Sequence, residues 1–111
     1  MAPSETVLKI TDDNFVDEIE EGEGLHMIDF WAAWCGPCKI VAPHVAALAA
    51  DYEDKGLRVG KLDVDSNPGT TTRFSVTSIP SILFFKDGEL VDKVIGAVPR
   101  QHIEDKILEH L

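Results

Sequence analysis

The sequence predicts an α/β protein: a mainly parallel sheet with one antiparallel hairpin, covered by helices on both faces. Three observations carry this. Segments of strand length alternate with segments of helical spacing along the 111 residues. "SILFFK" and "ELVDKVI" flank Asp87-Gly88, the strongest two-residue hairpin signal, so the last two strands should run antiparallel. "LHMIDFW", residues 25–31, is a near-continuous apolar run of strand length, as a central strand buried on both faces requires. The length suits one domain spanning residues 1–111, and no repeat, linker or low-complexity segment interrupts it.

Taken in order, "ETVLKI" reads as a short strand. Thr11 then caps a helix in which Phe15 and Ile19 fall one turn apart, and Gly22 and Gly24 end it. After the central strand the spacing of Ile40, Val41, His44, Val45 and Leu48 is helical from Cys35 to about Tyr52, with Pro43 inside. "LRVGKLDVD" is the next strand, and "NPGTTTRF" a short, weak helix or turn. Beyond the hairpin, Pro99 sits at a helix N-terminus, and Ile103, Ile107, Leu108 and Leu111 make one apolar stripe. The order is β-α-β-α-β-α-β-β-α.

With 44% hydrophobic residues the chain can bury a core, yet its longest apolar stretches are too short to cross a bilayer. "MAPSETVLKI" shows no export leader, so a soluble, unexported protein without a membrane partner is expected. Twenty acidic residues against ten basic give a net charge of -10, a field that repels nucleic acid. The acids concentrate in "TDDNFVDEIEEGEG", which reads as a solvated, solubilising face.

The two cysteines stand two residues apart in "FWAAWCGPCKIVAP". Unpaired N–H groups and the positive end of the helix dipole should face Cys35 and favour its thiolate. Gly36 permits a tight turn, and Pro37 fixes a helical φ in the first turn at no cost in hydrogen bonds. Three residues apart on a helix, Cys35 and Cys38 share a face within disulfide reach, with Cys38 expected to be the more buried. Thiol–disulfide exchange follows: Cys35 attacks a partner's disulfide and Cys38 resolves the mixed disulfide. A zinc site would need two more ligands, and His26, His44, His102 and His110 form no H-x3–5-H pair. A structural disulfide would close a very short loop and stabilise little.

"DFWAAWCGPCK", "KLDVDSNPG", "SIPSILFFKDGE" and "VIGA" together resemble, in order, segments of the thioredoxin family, and the likeness covers nearly the whole chain. The resemblance implies the thioredoxin fold, a mixed five-stranded sheet in the order 1-3-2-4-5 flanked by four helices. It implies reduction of disulfide-containing protein substrates and recycling by a thioredoxin reductase. No bound cofactor is expected beyond the redox-active Cys35–Cys38 disulfide, NADPH being used only through the reductase. A cytoplasmic monomer serving electron transport and cell redox homeostasis is expected.

Residue by residue, Cys35 resembles the family's nucleophile and Cys38 its resolving thiol. Trp34 would lean over the site, while Gly36, Pro37, Ile79, Gly96 and Ala97 form an apolar docking surface. Pro80 resembles a cis-proline facing the disulfide. Asp29 resembles a buried acid whose pKa burial should raise, and Lys61 the lysine beside it. The chain departs from the family's common pattern at Phe74-Ser75-Val76, Ser78 and Ser81, where glycines and a threonine are usual, and Ser75 would be strained at φ > 0. Relatives acting as oxidases or isomerases usually carry a more polar or His-containing pair between the cysteines, so Gly36-Pro37 favours a reductase. A non-catalytic subunit gripping a larger enzyme through the apolar face is the third reading.

Overall fold

The computed structural model describes residues 6–111; Met1–Glu5, on which part of the expectation about an export leader and the start of the first strand fall, lie outside the described residues. Its strands are β1 (Val7–Lys9), β2 (Leu25–Trp31), β3 (Arg58–Asp63), β4 (Ser81–Lys86) and β5 (Glu89–Ile95). They form one sheet in the order β1-β3-β2-β4-β5. β3 pairs parallel to both β1 and β2, whereas β4 is antiparallel to both β2 and β5, so the hairpin brings two antiparallel pairings rather than one. Asp87 and Gly88 both adopt positive φ, 50° and 87°, the conformation a two-residue hairpin turn demands.

The helices are α1 (Gly36–Tyr52), α2 (Pro68–Arg73) and α3 (Arg100–His110), with a π-helical segment at Val16–Glu20 and a 3-10 turn at Glu53–Lys55. Thr11 Oγ1 does accept the Asn14 N–H at 3.2 Å, and Asn14 Oδ1 accepts the Thr11 N–H at 2.7 Å. The helix so capped is only a short π-type segment, closed by the Glu21 N–H on the Val16 carbonyl at 2.9 Å.

Strand alternation divides the core into two layers. Met27, Val59, Ile82, Phe84 and Val94 pack with Val45, Leu48, Ile103 and Ile107 from α1 and α3. On the other face Ile28, Phe30, Leu62, Leu83 and Phe85 pack with Ile10, Phe15 and Ile19, and with Phe74 and Val76 beyond α2. Phe15, Phe74 and Phe85 stack tilted or edge-on, with centroids 5.1–5.5 Å apart.

Two expected stripes need correction. The buried face of α1 is Cys38, Val41, Val45, Leu48 and Ala49, while Ile40 is 60% exposed because it lies one residue round from Val41. On α3, Ile103 and Ile107 are buried but Leu108 and Leu111 are exposed: Leu108 lies one residue round from Ile107, and Leu111 stands past the last residue of the helix.

Where β3 crosses behind Ile10 and Ile28 there is no room for a side chain. A Cβ on Gly60 would lie 2.5 Å from Ile10 Cγ1 and 3.1 Å from Ile28 Cδ1. Gly60→Ala is therefore expected to destabilise the fold by about 1–3 kcal/mol through overpacking. Urea denaturation followed by fluorescence checks this; a midpoint equal to that of the parent chain would show that Ile10 gives way freely.

Candidate active site

β2 ends at Trp31, the chain passes Ala32, Ala33 and Trp34, and Cys35 becomes the N-cap of α1 with extended backbone angles, φ -88° and ψ 108°. Its Sγ accepts the Cys38 N–H at 3.2 Å, and its own N–H donates to the Ala32 carbonyl at 3.1 Å. A sulfur thus fills the place usually held by Ser, Thr, Asp or Asn oxygen. No acidic residue lies in the first turn of this 17-residue helix, so no side-chain charge opposes the field of its N-terminus. Cys35 and Cys38 are joined as a disulfide with Cα atoms 5.3 Å apart. In this oxidised form both are equally buried, at 3% exposure, contrary to the expectation that Cys38 is the deeper.

The loop before β4 faces this disulfide. Ile79-Pro80 is cis, and the Ile79 carbonyl lies 3.8 Å from Cys35 Sγ. The Pro80 carbonyl accepts the Gly96 N–H at 2.9 Å, tying the segment after β5 to the same place. Gly96 has φ 96°, open to glycine. Gly36, Pro37, Ala97 and Ile95 are exposed, Ile79 and Gly96 half-buried, and Pro80 buried. Ile95 belongs to this apolar rim and escaped the sequence reading; alternation along β5 gave the only hint. Trp34 is 69% exposed, and its indole N–H donates to Asp65 Oδ2 at 2.9 Å. Asp65 was also missed, because nothing separates it in sequence from the other acids of its loop. Ser75 does adopt φ 56°, and the Ser81 hydroxyl donates to the Ser78 carbonyl at 2.6 Å.

Asp29 lies mid-way along β2 on the α1 side of the sheet, in register with Lys61 of β3. It is 0% exposed, and neither carboxylate oxygen has a hydrogen-bond partner in the chain. Burial raises its pKa from 3.8 to about 6, against the opposing pull of the Lys61 charge. Lys61 is half-buried with its ammonium 4.7 Å from the centre of the Trp31 ring. Trp31, Cys38, Lys39, Ala42 and Lys61 line a cavity of about 120 Å³, roomy enough for water beside the second cysteine.

Among the described residues, the hydrogen bonds of the two cysteine sulfurs go to no histidine. His26 is buried in β2, where desolvation holds its pKa below the usual value. Among the described residues, the group of acids and histidine close enough to share a cation is Asp92, Glu109 and His110; it contains neither cysteine, and Lys106 forms ion pairs within it.

A sheet of this order with a dithiol capping the helix after its central strand defines a thiol–disulfide oxidoreductase. The thioredoxin family model matches residues 6–109, and the chain belongs to that family. It is 50% identical to a thioredoxin of Staphylococcus saprophyticus over 105 residues, 95% of this chain and 98% of the relative. A thioredoxin of Staphylococcus haemolyticus is 48% identical, and one of Staphylococcus aureus 47%, each over the same shares of the two chains. Protein-disulfide reductase activity follows from this membership. No helix among the described residues is long and apolar enough to cross a membrane.

The raised pKa of Asp29 sets a pH dependence. Below about 3.8 the carboxyl is protonated in folded and unfolded chains alike, and it costs nothing. Between 3.8 and about 6 the unfolded chain ionises while the folded one resists, so stability declines; above that the loss is constant, about 3 kcal/mol. Asp29→Asn should therefore stabilise the oxidised protein by up to that amount at pH 8 and by less than about 1 kcal/mol at pH 4. Denaturant titrations at the two pH values measure the difference, and equal gains at both would exclude the ionisation as its cause.

Proposed function

We propose that this chain reduces disulfides of other proteins through a Cys35/Cys38 dithiol and is itself reduced by a thioredoxin reductase drawing electrons from NADPH. The observation that carries the reading is the Cys38 N–H directed at Cys35 Sγ on the N-terminus of α1. The same geometry stabilises negative charge on the sulfur when the disulfide is open. Cys35 attacks one sulfur of the substrate disulfide as the thiolate, forming a mixed disulfide and expelling the other substrate sulfur as a thiolate. Cys38 then loses its proton and attacks Cys35 Sγ, releasing the second substrate thiolate and leaving the Cys35–Cys38 disulfide. Two electrons have passed to the substrate.

Asp29 is the base for the second step, directly or through a water in the cavity beside Cys38; a carboxylate with a pKa of about 6 is suited to accept a proton near neutral pH. Lys61 tunes that carboxylate by its charge. Trp34, Gly36, Pro37, Ile79, Gly96 and Ala97 form the surface on which the substrate lies. Pro80 turns the chain so that the backbone of Ile79 can pair with an extended substrate segment. Gly36 and Pro37 put no charge or side-chain donor between the sulfurs, which favours a reductase over an oxidase or isomerase. A cytoplasmic monomer fits this role.

Cys35→Ser is expected to abolish reduction of a protein disulfide, whereas Cys38→Ser still attacks and accumulates a stable mixed disulfide. Mass spectrometry of both variants with an oxidised protein substrate checks the assignment; equal trapping by the Cys35 variant would reverse the roles. Asp29→Asn should slow release from the mixed disulfide at pH 7 about 10- to 100-fold, within the range of general-base effects, in a stopped-flow assay. Recycling predicts sustained NADPH oxidation when the parent chain, a bacterial thioredoxin reductase and substrate are combined, and none with Cys35→Ser. NADPH oxidation persisting in that variant would point instead to a non-catalytic role.

A further inference from the structure

We propose that a small polar pocket beside the docking surface selects disulfide-bearing segments carrying an acidic side chain, with Lys93 as its cation. The inference rests on the docking role given above to Ile79 and Pro80. The pocket has a volume of about 90 Å³ and lies between the loop after α2 and strand β5. Small-molecule sites run to ~300–1,000 Å³, so this one suits a single side chain. Ser75, Thr77 and Ser78 line it from the loop, and Lys93 and Ile95 from β5. Ser78 directly precedes Ile79 and Ile95 directly precedes Gly96, so the pocket adjoins the rim on which the substrate segment would lie.

Of its polar side chains, Ser81 is committed to the Ser78 carbonyl, and the others are not. Among the described residues the hydroxyls of Ser75, Thr77 and Ser78 have no hydrogen-bond partner and the Lys93 ammonium has no ion pair. That is notable in a chain with twenty acids for ten bases. The neighbouring Asp92 cannot serve Lys93, because alternation turns it to the opposite face, where it pairs with Lys106 at 3.0 Å and with His110 at 3.0 Å. Ser75 is held at φ 56°, and with Ser78 it supplies hydroxyls to the pocket wall. Donor hydroxyls around an unpaired ammonium match a carboxylate, which accepts several hydrogen bonds at once. The net charge of -10 repels acidic segments in general, so the pocket confers a positional preference, not a taste for acidity overall.

The test measures reduction rates of peptide disulfides by the full reduced chain. One glutamate, glutamine or lysine is moved through the three positions on either side of the reacting cysteine. At one position glutamate is expected to react about three- to five-fold faster than glutamine, the gain of a partly exposed ion pair. Lysine should be the slowest there, and the glutamate advantage should vanish in Lys93→Gln. A glutamate series never faster than glutamine, or an advantage that survives Lys93→Gln, overturns the pocket while the glutamine series still being reduced leaves the dithiol reading intact. Failure of every peptide to be reduced would overturn the dithiol reading and this inference together.

Discussion

Cys35 closes the N-terminus of α1 with its own sulfur, and that single contact joins the fold to its chemistry. The Cys38 N–H that the helix cannot satisfy internally is directed 3.2 Å from Cys35 Sγ. The same amide and the helix dipole behind it favour charge on the sulfur once the disulfide opens. For this to work the chain must leave the sheet and enter the helix within a few residues. β2 achieves that because it is the central strand, buried on both faces and fixed by β3 and β4 in register along most of its length. The helix it feeds is anchored by Val41, Val45 and Leu48 against the sheet, so the cap is held rigidly although the turn before it is exposed.

The same strand carries a cost at Asp29. A carboxylate with no hydrogen-bond partner in an apolar layer opposes folding whenever it is ionised. Lys61, its neighbour in register, relieves part of that penalty, but its ammonium is half-buried and also faces the Trp31 ring. Stability and reactivity therefore pull on one residue in opposite directions. An asparagine would suit the core better, yet under the proposed mechanism it would offer no base to the second cysteine.

The proposed docking face depends on backbone more than on side chains. The segments that enter and leave the β4–β5 hairpin, with the cis Ile79-Pro80 bond in one and the left-handed Gly96 in the other, lie side by side at its open end, joined by the Gly96 N–H to the Pro80 carbonyl. The strain at Ser75 lies in the approach to this face. Variation of side chains on such a frame alters which partners fit while leaving the sulfur chemistry untouched.

Much was legible in the sequence, because it rests on local rules. Period-two and helical spacing marked the elements, with β2, β4 and β5 correct to the residue, and Asp87-Gly88 fixed the hairpin. The C-x-x-C at a strand-to-helix junction declared its own chemistry, and burial of Asp29 followed from its apolar neighbours. What escaped depends on residues distant in the chain. Asp12 accepts the Gly69 and Thr70 N–H groups at 3.0 and 2.8 Å, capping α2 from fifty-seven and fifty-eight positions away. Asp65 holds the Trp34 indole, and Ile95 completes the rim beside Ile79. Ile40 and Leu108 fit the helical spacing yet lie exposed for a related reason: hydrophobicity says that a residue can be buried, but only the packed sheet decides which side of each helix is covered. Sequence determined the elements and the reacting sulfurs, since both follow from spacing along one stretch of chain. Tertiary structure decided the caps, the rim and the environment of each charge, since those are set by groups that only folding brings within a few ångströms.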